Sequence, residues 1–306
     1  MKSFREVESG RRDYHRDGAL NSVHRSSLTV PEISGSEVEI SFINHFLLKR
    51  GYKSVGCRIT AIDHDGGRIE SRLLTIDEPR VYTIPLTGMV DVPAANYLVE
   101  FYAAENLYIP FPAVMVNHRG PAHFNTVHAY NRVLNDVFED DTINAHPVRE
   151  ASIDIRVDAE TDTFALFSSG PQRCQGVLNL ELTSGNSKRA ATVKLDIPRL
   201  GNREISLREH FPDLAGVSGG ILKIEQPTQF LFYGRMLTGT RKADGAMTAN
   251  HSYYDSSDTE EYWDNSLPSY RLYPMLPEIE NIIRMYPIMS PGRLALTLDL
   301  HARDGR

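Results

Sequence analysis

At 306 residues, with 41% hydrophobic and 24% charged side chains, the chain has the composition of a folded protein and is long enough for two ordinary domains. A net charge of −7 argues against a general nucleic-acid binder, which carries a basic surplus. There is no run of about 18 apolar residues, so no membrane-spanning helix is expected.

Residues 1–30 read as a polar arm in which Arg5, Arg11, Arg12, Arg16 and Arg25 are mixed with Glu6, Glu8, Asp13 and Asp17. The arm offers no apolar stripe to bury, and it lacks the apolar stretch of a secretory signal. Two cysteines, Cys57 and Cys174, are too few for a disulfide framework. Both features point to a cytoplasmic setting.

From Val38 onward the apolar spacing has a period of two. Val38, Ile40 and Phe42 alternate with Glu39 and Ser41, which puts three apolar side chains on one face of a strand. Cys57–Ile62 precedes the turn signal Asp63-His-Asp-Gly-Gly67, Ile69–Ile76 resumes as a strand, and Tyr97–Tyr102 is rich in β-branched and aromatic residues. Tyr130–Phe138 and Pro277–Met285 are the best helix candidates, and both are short.

The second half repeats this order. Ile153, Ile155 and Val157 alternate as the Val38 strand does. Leu74-Thr-Ile-Asp-Glu-Pro-Arg-Val81 aligns with Val193-Lys-Leu-Asp-Ile-Pro-Arg-Leu200. Thr83–Leu86 faces Glu204–Leu207, Leu98–Phe101 faces Ile221–Ile224, and Val127-His-Ala-Tyr130 faces Asn250-His-Ser-Tyr253. The offset stays near about 120 residues, the pattern of a copied unit. The expected fold is therefore all-β: two tandem, internally duplicated antiparallel β-sandwich or barrel-like domains, with short helices in the connections. The expected boundaries are an arm over 1–30, one unit over 31–145, a second over 146–265, and an extension over 266–306. Leu294, Leu296, Leu298 and Leu300 alternate as a final strand, a candidate edge for pairing with a second copy of the chain.

The candidate chemistry gathers at the end of each unit. His118, His123 and His128 recur every five residues in a Gly- and Pro-bearing segment, a spacing that a loop can fold around Zn²⁺. On a regular strand the same spacing sends neighbours to opposite faces. The second unit keeps only His251. A matched His-x-Tyr, His128 with Tyr130 and His251 with Tyr253, is expected to fix a loop by bonding a buried carbonyl. Acidic clusters follow each motif, Asp136–Asp141 and Asp255–Asp264, and suit Ca²⁺ by ligand type but match no EF-hand spacing. Trp263 lies in the second cluster near Tyr253, Tyr254 and Asp255; aromatic rings beside carboxylates suit sugars, whose apolar faces stack and whose hydroxyls donate. Gly216-Val-Ser-Gly-Gly220 has the form of a nucleophile elbow, but a strand pattern follows where the elbow needs a helix.

Three readings stay open. The first is a non-catalytic recognition protein that takes a glycan or a protein through His128, Tyr130, His251, Tyr253, Tyr254, Asp255 and Trp263. The second is a metal-dependent enzyme with its histidine site between the units. The third is a structural subunit that assembles through its last strand.

Overall fold

Period-two alternation builds most of the first half into strands that bury one face. A computed structural model describes residues 24–103, 113–128, 130, 132–133, 149–152, 154–170, 173–214, 216–227, 232–233, 236–254, 272–279, 281, 283 and 297–302. The first half contributes β1 (His24–Pro31), β2 (Glu37–Ile43), β3 (Val55–Ile62), β4 (Arg68–Ile76), β5 (Val81–Pro85), β6 (Asn96–Ala103), β7 (Met115–Gly120), β8 (His123–His128) and β9 (Arg132–Val133). Two antiparallel sheets result, one ordered β9-β1-β6-β3-β4 and one β5-β2-β7-β8. Between them pack Leu28 and Val30 of β1, Ile59 of β3 and Phe101 of β6 against Val38, Ile40 and Phe42 of β2. Phe42 meets Phe101 edge-on across the two layers at 5.1 Å between ring centroids. A short helix, α1 (His45–Arg50), is capped by the Asn44 side chain, which accepts from Leu47 N at 3.1 Å, and it ends at Gly51 in the left-handed region.

The second half contributes β10 (Arg149–Ser152), β11 (Arg156–Val157), β12 (Thr161–Ser168), β13 (Cys174–Ser184), β14 (Ser187–Ile197), β15 (Asn202–Ser206), the short helix α2 (Leu207–His210), β16 (Val217–Ser218), β17 (Ile221–Glu225), β18 (Phe232–Tyr233), β19 (Leu237–Lys242), β20 (Met247–His251) and β21 (Tyr253–Tyr254). Its sheets are ordered β14-β13-β17-β10-β21 and β15-β12-β19-β20, with β11 paired to β16 and β18 joined to β9 of the first half. Strand for strand, this is the order of the first pair: β4-β3-β6-β1-β9 and β5-β2-β7-β8. The aligned segments Leu74–Val81 and Val193–Leu200 close β4 and β14, and Leu98–Phe101 and Ile221–Ile224 lie in β6 and β17.

The two halves are not separate beads. The chain divides into two compact units between Tyr253 and Tyr254, so both pairs of sheets, apart from Tyr254 at the end of β21, fall in the first. The reason is the sheet β15-β12-β19-β20, whose strand β12 is buried on both faces. Ala165 and Phe167 of β12 enter the core of the second half. Their alternates Phe164 and Leu166, with Leu237 and Met247, are continuous with the core of the first. Three asparagines stitch the same seam by satisfying backbone groups across it. Asn96 Nδ2 donates to Leu200 O at 2.8 Å, and Asn202 Nδ2 donates to Ala95 O at 2.8 Å. Asn125 Nδ2 donates to Met247 O at 2.8 Å while its Oδ1 accepts from Ala249 N at 3.2 Å, so one side chain stands in for a strand partner along β20. Gly66, at φ 79°, lies against the Arg199 carbonyl so closely that a Cβ has no room.

Several sequence expectations differ from this structure. Residues 24–30, placed in the polar arm, form β1 together with Pro31, with Leu28 and Val30 fully buried; its polar Ser27 and Thr29 are buried too, which hides the strand from a composition reading. The partner of the Val38 strand in the sheet order is β12 rather than the Ile153–Val157 segment, whose described residues 154–157 are strand only at Arg156–Val157. Residues 297–302 form no strand within the chain, with Leu298 and Leu300 61% and 72% exposed, and Leu294 and Leu296 lie outside the described residues. Residues 277–279 lie in a turn, where Asn281 Nδ2 donates to Leu276 O and Ile279 O, both at 2.8 Å. Within the Tyr130–Phe138 helix candidate Arg132–Val133 form the strand β9 instead, and its residues after 133, with most of the rest of Pro277–Met285, lie outside the described residues.

Removing the Asn125 amide leaves Met247 O and Ala249 N without a partner. Asn125→Ala is expected to lower unfolding stability by about 1–3 kcal/mol. Asn179→Ala, at an exposed amide, should change it by less than about 0.5 kcal/mol. Urea melts of the two variants check this; equal midpoints would remove the seam's claim on Asn125.

Candidate functional site

The end of β7, the hairpin and β8 place the three histidines of the first half. Because alternate residues of a strand face opposite ways, His118 and His123 point to the inner face and His128 to the outer one. They find three different partners. His118 is fully buried, and its Nε2 lies 3.0 Å from Tyr130 Oη. His123 Nε2 lies 2.8 Å from Ser36 Oγ. His128 Nε2 lies 3.0 Å from Nε2 of His251. Strand alternation thus separates His128 from His118 and His123. Among the described residues no three His, Cys, Asp or Glu side chains gather as a metal set.

The matched histidines therefore meet each other. His251 closes β20, and its Nδ1 donates to the Ser252 carbonyl at 2.6 Å. With Nδ1 carrying the proton, the neutral ring presents a lone pair at Nε2, so His128 Nε2–H is the donor of the pair. The two rings stand edge to face, at 81° with centroids 4.6 Å apart. Tyr253 packs edge-on to His251 at 5.3 Å, and its hydroxyl lies 3.4 Å from Asn250 Nδ2. Beneath the pair runs a buried polar chain. Ser252 N donates to Met236 O at 2.8 Å; Met236 N donates to Ser252 Oγ at 2.9 Å and to Glu150 Oε2 at 3.1 Å; Gln226 Nε2 donates to the same carboxylate at 2.8 Å. Glu150 is wholly buried, so these bonds offset the cost of removing its carboxylate from water.

Of the residues expected to touch a ligand, His128 is exposed and Tyr253 half-buried, whereas Tyr130 and His251 are buried and engaged as just described. Tyr254 lies in β21; Asp255, Trp263 and both acidic clusters lie outside the described residues. The structure brings forward a different surface, the outer face of β5-β2-β7-β8. Asn117 donates through Nδ2 to Glu39 Oε1 at 2.9 Å and to Ser41 Oγ at 3.1 Å, and its Oδ1 accepts from Thr126 Oγ1 at 2.9 Å. Beside this row Phe124 is 59% exposed, with the Arg119 guanidinium 5.5 Å from its ring centroid. Alternation in the sequence does not announce this surface, because β8 turns Phe124 outward and Asn125 inward, and Asn117 on β7 is itself buried.

The candidate nucleophiles do not fit catalysis. Burial pushes the Cys57 thiol up to about 12, with Glu100 adding to it, and burial followed by Asp196 takes Cys174 up to about 11, so both are protonated at neutral pH. Ser218 ends β16 and leads through two glycines into β17, with no helix to aim its hydroxyl.

No protein-family model and no curated protein matches the chain. Among solved structures, it is similar to a calcium-binding mutant of β-glucuronidase 2 from Bacteroides uniformis, at 9% identity over 76% of this chain and 26% of that one, with a TM-score of 0.18. It is also similar to a glycosyl hydrolase family 2 member from Bacteroides cellulosilyticus DSM 14838 (9% identity, 75% and 28% covered, TM-score 0.19) and to a β-galactosidase described as putative from Bacteroides fragilis (11% identity, 75% and 32% covered, TM-score 0.18). The chain spans between a quarter and a third of those structures. No helix among the described residues is long and apolar enough to cross a membrane.

Burial, reinforced by the neighbouring His123, lowers the His118 pKa from its ordinary 6.5 to about 4. At pH 5.5 the folded ring is neutral, while the unfolded chain takes up a proton there. The unfolded state then binds more protons, so the contribution of His118 is complete above pH 6.5 and is lost as the pH falls from 6.5 toward 4, at no more than about 1.4 kcal/mol per pH unit. Urea melts across that window should show a shallower loss for His118→Gln than for the wild type, and the His118 ring should still be neutral by NMR at pH 5.5. Parallel pH profiles would contradict the assignment.

Proposed function

We propose that the chain is a non-catalytic recognition protein, built of two β-sandwiches descended from one copied unit, that holds a glycan on the outer face of β5-β2-β7-β8. The observation that carries this reading is the row Glu39, Ser41, Asn117 and Thr126 running across that face beside the exposed Phe124 ring. A carboxylate and two hydroxyls, aligned by their bonds to the buried Asn117 amide, offer the mixed donors and acceptors that sugar hydroxyls require. The ring supplies the flat apolar surface on which a pyranose face stacks. His128 ends the same outward row of β8 and extends it to the seam with β20. Common descent is supported by the shared strand order and by Asp-x-Pro-Arg at the ends of β4 and β14.

The test is a glycan array probed with the full chain, followed by calorimetry on whichever glycan is retained. Phe124→Ala should weaken binding about three- to tenfold, the share expected of one stacked ring. Retention of no glycan, or a variant that binds as tightly as the wild type, would overturn the reading.

A further inference from the structure

We infer that His128 and His251 form a two-histidine site for a borderline divalent transition metal, Zn²⁺, Ni²⁺ or Cu²⁺, across the seam between the two sandwiches. The site is built from the ends of β8 and β20, strands that hold the same place in the two sheet orders, and it does not rest on the glycan reading. Its two Nε2 atoms are 3.0 Å apart. A metal bonded to two imidazole nitrogens at about 2.0–2.1 Å holds them roughly 2.9–3.4 Å apart, from a right-angle to a tetrahedral arrangement. The separation already lies in that range, and the two rings need only tilt from facing each other until both lone pairs converge on the ion.

The orientation is fixed from outside the pair. The Ser252 carbonyl accepts from His251 Nδ1 at 2.6 Å, which selects the tautomer whose Nε2 carries the lone pair. A hydrogen bond from the second ring nitrogen to a backbone carbonyl is the common support of a metal-ligating histidine. The ring is further held by the edge of Tyr253 at 5.3 Å. His128 reaches the site from the exposed side of β8. On metal binding the His128 proton moves from Nε2 to Nδ1, the other nitrogen of the neutral ring. Two imidazole donors with solvent oxygen select zinc, nickel or copper over Ca²⁺, which takes six to eight oxygens.

Calorimetric titration of chelator-treated full-length protein with Zn²⁺ and Ni²⁺ tests this. One ion per chain is expected, with an affinity at least about tenfold weaker in His128→Gln and in His251→Gln. His128→Gln separates the metal role from the hydrogen-bonding one, because a glutamine amide still donates to His251 Nε2 but is a poor ligand. It sits on the exposed side of the seam, so its thermal stability without metal should match the wild type. Absence of binding to the wild-type chain would overturn the site, and so would binding retained at full strength in folded His128→Gln.

Discussion

A sheet that serves two cores at once holds this molecule together. In β12, Ala165 and Phe167 belong to the second half while Phe164 and Leu166 belong to the first, so one strand is the floor of one sandwich and the wall of the next. The double burial explains why the two pairs of sheets form one compact unit even though each has a complete sandwich order of its own. It also sets where β8 and β20 come together, and with them the histidines at their ends.

Apolar burial alone does not set register, and at this seam polar groups supply it. Asn96, Asn202 and Asn125 each satisfy a backbone atom of the other half, bonds that a shifted interface would leave unmade. The seam is therefore specific as well as adhesive. The buried chain from Glu150 through Met236 to Ser252 and His251 plays the same part beneath β20, fixing the ring that meets His128.

What could be read in the sequence follows from which strands have a wet side. β2 alternates between buried and exposed positions, and its Val38, Ile40 and Phe42 announce it; the all-β class followed from such segments and their turns. β12 gives no such sign, because its residues run buried almost without a break and Thr-Asp-Thr-Phe-Ala-Leu-Phe-Ser has no alternation to detect. That is why the neighbouring Ile153–Val157 segment took its place in the reading. β1 was hidden differently, by buried Ser27 and Thr29 among its apolar residues. The histidine motif was visible at both positions, but sequence alone presents His128 and His251 as equivalents in separate copies. Only the seam makes them partners, and no local pattern encodes a contact 123 residues long.

The shared sheet also bears on how the chain is made. A ribosome delivers β2, β7 and β8 well before Phe164, Leu237 and Met247, so the earlier half leaves the exit tunnel with part of its hydrophobic interior uncovered. Native closure must wait for more than a hundred further residues, a delay that lengthens contact order and keeps an adhesive surface open in the nascent state. The polar row on the opposite face of that half, from Glu39 to Thr126, keeps the other side of the waiting sheet wettable in the meantime.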